Sequence, residues 1–210
     1  MEKFIFDIDG TLLKTNWQYE EDYFNSVLSF DDANKFIPRI SSLLASYERS
    51  FLRYDVDILS HYLTLSTGVN ITPEIVRGWI EAGKDYYEVI PGAYDTLEYL
   101  KSKDKKIVAL SNWFSSMNAT RLKNALLDGY FDQVFCSDLV DMKPNPSSYI
   151  TACGDTSFND TVMIGDSLEL DVMAPLKLGI NAIYFCPDEK KNVDNKIKVI
   201  RKLQDIKEMY

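Results

Sequence analysis

The sequence has few of the residues that define several common kinds of functional site. Among its 210 residues there are three cysteines and a single histidine. Cys136, Cys153 and Cys186 are far apart and form neither a CxxC pair nor a Cys/His cluster, so a zinc site and a disulfide framework are both unsupported. The histidine, His61, lies in an apolar-rich stretch, which favours a packing or surface role over that of a ligand. We expect the cysteines to be buried, reduced thiols in an intracellular protein.

Positive charge is also scarce, with 23 lysines and arginines against 32 acidic residues and a formal net charge of -9. Such a surface repels nucleic acids and anionic membranes. There is no signal-peptide pattern, and no apolar run approaches the roughly 18 residues of a membrane span. We therefore expect a soluble cytoplasmic protein with no nucleic-acid or membrane partner, and a monomer by default. A small phosphorylated partner stays possible, because a divalent cation held by carboxylates reverses the local field.

Short apolar runs alternate with segments of helical period along most of the chain. The runs lie at 3–6, 106–110, 133–136, 161–164 and 181–185, and the helical segments at 93–103, 115–127, 147–153 and 168–178. Strands of this kind, joined by helices of this length, predict right-handed βαβ units and a parallel sheet covered on both faces. The fold class is therefore α/β, with a Rossmann-like, doubly wound sheet.

Residues 15–90 interrupt this alternation, because they have the pattern of amphipathic helices and no strand candidate. We predict helices at 17–28, 32–51, 56–65 and 73–87, with Pro38 dividing the second one. Thr72 and Pro73 match an N-cap followed by proline at the first helical position. The predicted domains are a core of residues 1–14 and 91–210 and an inserted all-helical cap of residues 15–90. The lysine-rich tail at 190–207 is predicted to form a terminal helix with a solvated face.

Two aspartates directly follow the first predicted strand. Asp7 and Asp9 are two positions apart at the end of an extended segment, so both side chains can enter the cleft beyond the strand. The alternative is a strand-to-loop turn over Asp7-Ile8-Asp9-Gly10-Thr11 in which each aspartate bonds backbone amides. Two carboxylates in one site need compensation. A Mg²⁺ ion provides it, because hard oxygen ligands suit this ion and it also binds a phosphate oxygen.

A second strand end repeats this arrangement of strand followed by acid. Asp166 follows the run at 161–164. In open parallel sheets, ligands lie beyond the carboxyl ends of the strands at a topological switch point, so Asp166 can meet Asp7 there. The alternative for Asp166 is an N-cap for the helix predicted near Leu168. Asp171, one turn further on, either orients a neighbouring cation or faces water.

Two other strand ends carry groups that suit a phosphoryl oxygen. Ser111 and Asn112 follow the second strand and can donate hydrogen bonds at a helix N-terminus, although helix capping would also explain them. Lys143 lies in a loop after the third strand, which Pro144 and Pro146 stiffen, so its ammonium group can be aimed at a fixed point. A lysine is usually a surface residue. Its place after the third strand favours a phosphate-binding role here.

Taken in this order, the four strand ends resemble the four motifs of the haloacid dehalogenase superfamily. The segment FIFDIDGTLL at 4–13 resembles the first motif, LSN at 110–112 the second, KP at 143–144 the third and GDSLELD at 165–171 the fourth. The helical insertion resembles the C1 cap of subfamily I, the group of phosphoglycolate phosphatase and β-phosphoglucomutase. The resemblance covers nearly the whole chain. It implies a five-stranded Rossmann-like core with sheet order 3-2-1-4-5 and the first and fourth motifs side by side.

The resemblance also implies the catalytic and metal-binding roles. Asp7 would be the nucleophile that forms an aspartyl-phosphate, which splits one difficult displacement into two easier ones. Asp9 would protonate the leaving alcohol and then activate water for the second step. The Asp7 carboxylate, the Asp9 backbone carbonyl and Asp166 would hold Mg²⁺.

The remaining motif residues would bind the phosphoryl group or support those that do. By the same resemblance, Ser111 and Lys143 would hold the transferring group, and Lys143 belongs to the catalytic set. Thr11 and Asn112 would assist as substrate-binding residues through polar contacts. Asp171 would position Lys143.

A few other side chains are candidates for the cleft. Trp113, directly after Asn112, is placed to border it. Arg49 and Arg53 are four positions apart on one predicted helix and could meet an anionic substrate group, although a solvated helix face explains them as well. Substrate selectivity would reside in the cap, and the sequence does not fix the orientation of the cap residues.

The leading interpretation is a Mg²⁺-dependent phosphatase that acts on a small phosphomonoester. The first alternative is a phosphomutase of the β-phosphoglucomutase kind, which shares all four motifs. A dehalogenase is disfavoured, because that branch lacks an acid at the position of Asp9. A non-catalytic phosphoacceptor is a third possibility, since receiver domains also place an aspartate at a strand end. The long insertion and Asp9 argue against it.

Overall fold

The central sheet is built from strands whose side chains are buried on both faces. The computed structural model describes residues 2–188 and 194–210. Its strands are β1 (Lys3–Phe6), β2 (Leu13–Thr15), β3 (Tyr87–Val89), β4 (Lys106–Ser111), β5 (Gln133–Cys136), β6 (Thr161–Gly165), β7 (Asn181–Phe185) and β8 (Lys198–Ile200). In β1, Phe4, Ile5 and Phe6 are all fully buried. This is the pattern of a strand covered on both faces of a parallel sheet.

Six of these strands form one parallel sheet in the order β5-β4-β1-β6-β7-β8. The five strands foreseen from the sequence follow the expected order 3-2-1-4-5, so the prediction of a Rossmann-like α/β fold is confirmed. Strand β1 lies between β4 and β6, with Phe6 level with Ala109 on one side and Ile164 on the other. The segments that follow these three strands therefore leave the same edge of the sheet side by side.

The helices of the described residues fall into two groups, one before β3 and one after it that covers both faces of the sheet. They are α1 (Gln18–Val27), α2 (Phe30–Phe36), α3 (Ile40–Ser50), α4 (Val56–Thr67), α5 (Pro73–Ala82), α6 (Ala93–Ser102), α7 (Ser115–Asn124), α8 (Pro146–Cys153) and α9 (Ala174–Lys177). Phe4 packs on one face with Leu97 of α6 and Leu122 of α7. Ile5 packs on the opposite face with Tyr149 of α8. In the described part of the chain, every helix is too short or too polar to cross a membrane.

Helices α1–α5, called here the helical segment, follow one another between β2 and β3. The Thr72 hydroxyl accepts a hydrogen bond from the Ile75 N–H at 3.4 Å, which confirms the predicted N-cap of α5. Pro38 lies in a short 3-10 helix, Ile37–Arg39, that separates α2 from α3, as predicted. The segment has its own aromatic core, and Trp79 in that core packs against Trp113 from the loop after β4 with ring centroids 5.2 Å apart. The helical segment thus packs against the carboxyl end of the sheet.

Two short strands occupy positions where the sequence predicted none. Strand β3 lies within residues 15–90 and pairs antiparallel with β2, with Leu13 opposite Val89 and Thr15 opposite Tyr87. Each strand has three residues, one of them a charged central residue, so neither carries a recognisable pattern. The pairing joins positions about seventy residues apart in the chain. The chain enters and leaves the helical segment through these neighbouring strands, and the division into residues 1–14 with 91–210 and residues 15–90 stays a prediction.

The prediction of a terminal helix at 190–207 is wrong for the described part of that tail. Residues 189–193 lie outside the described residues. Beyond them, β8 adds a sixth strand beside β7, and a 3-10 helix at Leu203–Glu208 follows it. Ile200, Leu203 and Ile206 are buried against the sheet. Their apolar spacing suits a strand followed by a tight turn, since burial against the edge of the sheet outweighs helix propensity here.

Candidate active site

Polar side chains meet where β1, β4 and β6 end. Asp7 directly follows β1, and its backbone N–H donates to the Ile164 carbonyl at 2.9 Å, so the main chain is still paired with β6 at this residue. Asp166 directly follows β6. Ligand oxygens of Asp7, Asp166 and Asp171 all lie within 4.8 Å of one another. The two strand ends that the sequence predicted to converge are therefore adjacent.

Lys143 completes what we call the strand-end cluster, which consists of Asp7, Lys143, Asp166 and Asp171. Its Nζ lies 2.7 Å from Asp7 Oδ1 and 2.7 Å from Asp171 Oδ1, and the side chain is only 2% exposed. Burial alone would lower the pKa of the Lys143 ammonium group. The nearby carboxylates of Asp171 and Asp7 outweigh burial and raise that pKa above its ordinary value. Lys143 is thus a fixed positive charge against the Asp7 carboxylate.

The loop that carries Lys143 is held by Asn112. The Lys143 backbone N–H donates to Asn112 Oδ1 at 2.7 Å, and Asn112 Nδ2 donates to the Lys143 carbonyl at 2.8 Å. The Asn112 side chain therefore ties the end of β4 to the Lys143 main chain, a contact that the sequence did not indicate. Asn112 also lines the cleft. Its predicted contact with substrate stays a prediction.

Two glycines allow the carboxylates to approach the main chain. Gly10 has φ +82°, and a Cβ there would lie 2.2 Å from Asp166 Oδ2. A Cβ on Gly165 would lie 2.2 Å from Asp171 Oδ2. Both distances are far below van der Waals contact, so neither position accepts a side chain while the aspartates keep their places. Close packing against the carboxylates therefore explains why the first and fourth motifs contain glycine at these positions.

The predicted phosphate-binding residues differ in their access to the cleft. Ser111 is 2% exposed, lines the cleft and accepts a hydrogen bond on Oγ from Asn118 Nδ2 at 3.0 Å. Thr11 is fully buried, and its hydroxyl has no hydrogen-bond partner within residues 2–188 and 194–210. Thr11 is not among the residues that line the inner cavity. The structure brings Ser111 to the cleft and leaves Thr11 beneath it.

Asp9 is held by residues that the sequence analysis did not single out. Its Oδ1 lies 2.7 Å from Nη1 of Arg121 in α7 and also accepts a hydrogen bond from the Thr15 hydroxyl of β2. Arg121 is completely buried, whereas the Asp9 side chain keeps 24% exposure. The one signal in the sequence is a pair of polar residues, Asn118 and Arg121, three positions apart and therefore on one face of the helix.

Two cavities that share part of their lining lie beside the strand-end cluster. The inner one, of 220 Å³, is lined by the cluster, by Ser111 and by residues that include Trp17, Glu48 and Tyr54 near or within the helical segment. The outer one, of 480 Å³, also has Glu48 and Lys143 in its wall. Glu48 accepts a hydrogen bond from the Tyr54 hydroxyl at 2.9 Å, and burial raises the pKa of its carboxyl group. A carboxyl group thus faces the site from the side of the helical segment.

The other predicted side chains lie in different environments. Trp113 lines the inner cavity, as its position after Asn112 predicted. Arg49 lines the outer cavity. Arg53 instead pairs with Asp141 at 2.8 Å and links the helical segment to the loop before Lys143. His61 is exposed on α4.

The strand-end cluster fits a divalent cation on its charge and chemistry. It contains three carboxylates and one ammonium group, so two negative charges have no compensation within it. Burial, with the Asp171 charge as the next cause, raises the pKa of Asp166 to about 6. Crowded carboxylate oxygens of this kind are the ligands that Mg²⁺ prefers. Both carboxylate oxygens of Asp171 accept hydrogen bonds, from Lys143 and from the Ser167 N–H, whereas Asp7 offers only Oδ1 to Lys143. Asp7 and Asp166 are therefore the carboxylates best placed to bind an ion.

Comparisons with known proteins agree with this geometry. The family model for haloacid dehalogenase-like hydrolases matches residues 1–179. The pyrimidine 5'-nucleotidase PynA of Streptococcus pneumoniae is 29% identical over 109 residues, which cover 50% of this chain and 46% of that protein. The ribulose-1,5-bisphosphate 5-phosphatase of Halopiger xanaduensis is 27% identical over 107 residues, which cover 50% of this chain and 45% of that protein. The matched region thus spans about half the length of both curated relatives.

A solved structure resembles the chain over nearly its whole length. The HAD-hydrolase YfnB of Bacillus subtilis, in a crystal form bound to magnesium, has a TM-score of 0.71 and 22% sequence identity. The match covers 99% of this chain and 97% of that one. At this identity the match establishes a shared fold.

Proposed function

We propose that this chain, which belongs to the haloacid dehalogenase-like hydrolases and is a phosphoric monoester hydrolase of that family, transfers the phosphoryl group of a small metabolite to Asp7 and then to water. One observation carries the proposal. The Asp7 carboxylate lies in a cleft between the Lys143 ammonium group and the Asp166 carboxylate, with Ser111 on the same wall. A carboxylate nucleophile, a fixed cation and a hydrogen-bond donor are the groups that phosphoryl transfer requires.

In the first step Asp7 attacks phosphorus, and the bond between phosphorus and the leaving oxygen breaks. The transferring group carries negative charge on its equatorial oxygens. Lys143 is placed to stabilise that charge without moving, because Asp171 and Asn112 fix its side chain and main chain. The Ser111 hydroxyl supplies a neutral donor to the same group. In the second step water attacks the aspartyl-phosphate, which releases inorganic phosphate and restores Asp7.

Asp9 serves as the acid and then the base of these two steps. It lies two residues after the nucleophile and lines the inner cavity with it. In the first step it gives a proton to the leaving alcohol. In the second it accepts one from the attacking water. One carboxyl group can do both, because the first step leaves it in the protonation state that the second step requires.

The cofactor of the proposal is Mg²⁺, held by the carboxylates of Asp7 and Asp166 and by the Asp9 backbone carbonyl. When bound, the ion would neutralise charge on the phosphoryl oxygens. The unbalanced negative charge of the strand-end cluster supports this assignment. YfnB, which shares the fold, is the HAD-hydrolase crystallised with magnesium.

The substrate of the proposal is a small phosphorylated metabolite. The two cavities, of 220 and 480 Å³, have room for a phosphoryl group and a leaving group of modest size. PynA acts on pyrimidine 5'-nucleotides and the Halopiger enzyme on ribulose-1,5-bisphosphate, so nucleotides and sugar phosphates are the first classes to assay.

The test is a screen of phosphorylated metabolites with and without Mg²⁺, with release of inorganic phosphate as the measurement. We expect turnover that requires the ion. Asp7→Asn should reduce turnover at least ~10⁴-fold, because the amide is not a nucleophile. Asp31→Asn, an exposed acid on α2, is the matched control and should keep wild-type activity. Wild-type hydrolysis by folded Asp7→Asn protein would refute the covalent scheme.

A further inference from the structure

Arg121 is a charged side chain in the interior of the protein. It lies on α7 and is 0% exposed, although it carries a guanidinium group that water would solvate well. Burying such a charge is costly unless it is paired and hydrogen-bonded. Its Nη1 lies 2.7 Å from Asp9 Oδ1, and its Nη2 donates to Thr15 Oγ1 at 2.6 Å. The buried charge therefore pairs with the carboxyl group that the proposed function uses as acid and base.

The guanidinium group grips Asp9 at one oxygen. Arg121 and the Thr15 hydroxyl both contact Oδ1 of Asp9. Oδ2 is the carboxyl oxygen left for the cleft, where Asp9 lines the inner cavity. Nη1 contacts Oδ1 directly, and Nη2 donates to the Thr15 hydroxyl, which donates to the same oxygen. Because the guanidinium group is planar and rigid, these two contacts restrict the rotation of the carboxyl group more than a lysine would.

The same helix also fixes a second predicted site residue. Arg121 Nη1 donates to Asn118 Oδ1 at 3.2 Å, and Asn118 Nδ2 donates to Ser111 Oγ at 3.0 Å. Asn118, like Arg121, is fully buried. A continuous chain of contacts therefore runs from Ser111 through Asn118 and Arg121 to Asp9. This chain of contacts fixes the position of the loop after β1 relative to the end of β4.

We propose that Arg121 is a positioning residue for the reaction, which holds the Asp9 carboxyl group where its free oxygen meets the leaving group. The proposal rests on the proposed function of Asp9. Arg121 does not contact the substrate and does not exchange protons with it. It acts through Asp9, and displacing a catalytic group by about 1 Å can cost on the order of 100-fold in rate.

Leaving-group dependence is the readout that separates this role from a merely structural one. An enzyme that donates a proton to the leaving oxygen depends weakly on how acidic the leaving alcohol is. Without that proton, poor leaving groups suffer far more than good ones. The probes are 2,4-dinitrophenyl, p-nitrophenyl and phenyl phosphate, which differ little in shape. The measurement is the single-turnover rate of phenol release, since this step precedes hydrolysis of the aspartyl-phosphate.

Arg121→Met should reduce the single-turnover rate on phenyl phosphate ~100-fold or more and that on 2,4-dinitrophenyl phosphate less than ~5-fold. Arg121→Lys, which keeps the charge but not the fork, should give an intermediate dependence. The matched control is Lys123→Met, an exposed position on the same helix, which should leave all three rates unchanged. Equal losses on the three substrates would overturn the positioning role.

A double variant keeps the proposal testable if Arg121→Met is poorly folded. In the background of Asp9→Asn, Arg121→Lys should produce no further loss, because the group it positions is already inactive. Additive losses would contradict the proposal. If Asp9→Asn itself left every rate unchanged, the proposed function of Asp9 would fail. If Asp9→Asn showed the steep leaving-group dependence and neither Arg121 variant did, only the positioning role would fail.

Discussion

The strand-end cluster and the inner face of the helical segment line the same cavity but are built in different ways. In the cluster, Lys143 is buried between carboxylates from the segments that follow β1 and β6, and Asn112 at the end of β4 holds its loop in place. On the other side, Glu48 and Tyr54 form one hydrogen-bonded pair beside an aromatic core. The position of Glu48 depends on the rotation of α3 about its axis. The cluster is defined by topology, and the facing wall is defined by packing.

This difference separates chemistry from selectivity. Groups in the strand-end cluster tolerate little change, because each one lies close to at least one other member. Groups on a packed helix can be exchanged while the fold is kept, since only the face of the helix must stay apolar. We therefore expect substitutions in the strand-end cluster to affect every substrate alike. Substitutions at Glu48 should affect some substrates and spare others.

Among the substitutions that compare these two regions, the largest effect is expected at Lys143. Lys143→Met leaves two buried carboxylates without their cation, so turnover should fall ~10³-fold and the free energy of unfolding should fall by about 3–5 kcal/mol. Urea denaturation followed by fluorescence, together with phosphate release, measures both. The control is Arg53→Met, which breaks the exposed pair with Asp141 and should cost less than ~1 kcal/mol. Similar losses in the two variants would erase the contrast between the two regions.

The next effect concerns the cation. Protein stripped with a chelator should gain about 3 kcal/mol of stability, or about 5–10 °C in Tm, when Mg²⁺ is added at 100 times its Kd. Asp166→Asn should abolish that gain, because the site loses one carboxylate ligand. Glu48→Gln should retain it, since Glu48 lies on the facing wall. A Tm that rises equally in Asp166→Asn would place the ion elsewhere.

A pH-dependent effect is expected within the helical segment. Burial raises the pKa of Glu20 in α1 to about 7 from a usual 4.5, and the neighbouring Trp79 indole offsets only part of this effect. Between these values the folded chain holds a proton that the unfolded chain has released, so stability falls as pH rises from about 4.5 to about 7 and is constant above. We expect a loss of ~2 kcal/mol after allowing for partial solvent exposure.

Glu20→Gln should remove that pH dependence, measured as the difference in unfolding free energy between pH 5 and pH 8. Glu21→Gln, at the exposed neighbouring position, should preserve it. A variant at Glu20 with the wild-type pH profile would assign the dependence to another group.

The smallest effect is expected for Glu48→Gln and concerns selectivity. At a pH where Glu48 is ionised, replacing it with glutamine should lower KM about 5-fold for substrates with a second anionic group, such as a carboxylate, because repulsion at the cavity wall is relieved. For p-nitrophenyl phosphate, kcat/KM should stay within about 2-fold. Steady-state kinetics on matched pairs of substrates gives the comparison. A uniform change across all substrates would mean that Glu48 supports the reaction itself.

The sequence predicted the central part of this molecule well. Apolar runs bounded by acids, glycine or lysine identified the strands, and the resemblance supplied their order. Adjacent strand ends bring Asp7 and Asp166 together, and the loop after β5 adds Lys143. These contacts follow from topology, which strand pattern and strand order determine. The roles assigned to the site residues are predictions that the experiments above address.

Other features depend on contacts that no local pattern records. Strands β2 and β3 have three residues each and pair across the whole helical segment. The apolar residues of the tail fit both the helical period and the strand period, so their spacing wrongly predicts a helix. The spacing of Asn118 and Arg121 places them on one face of α7 but does not show that this face is buried, since the burial of Arg121 depends on how α7 meets the loop after β1. Glu48 carried no signal, because the rotation of α3 is set by tertiary packing.

Because β2 pairs with β3, the helical segment begins and ends at neighbouring strands. Thr15 at the end of β2 and Tyr87 at the start of β3 are opposite each other, about 5 Å apart. We expect that an unrelated segment of any length could be grafted between them while the strands behind stay undisturbed. The replacement would have to cover Trp113 and Phe114, which pack against the helical segment. A new specificity could thus be acquired by exchanging one continuous piece of the gene.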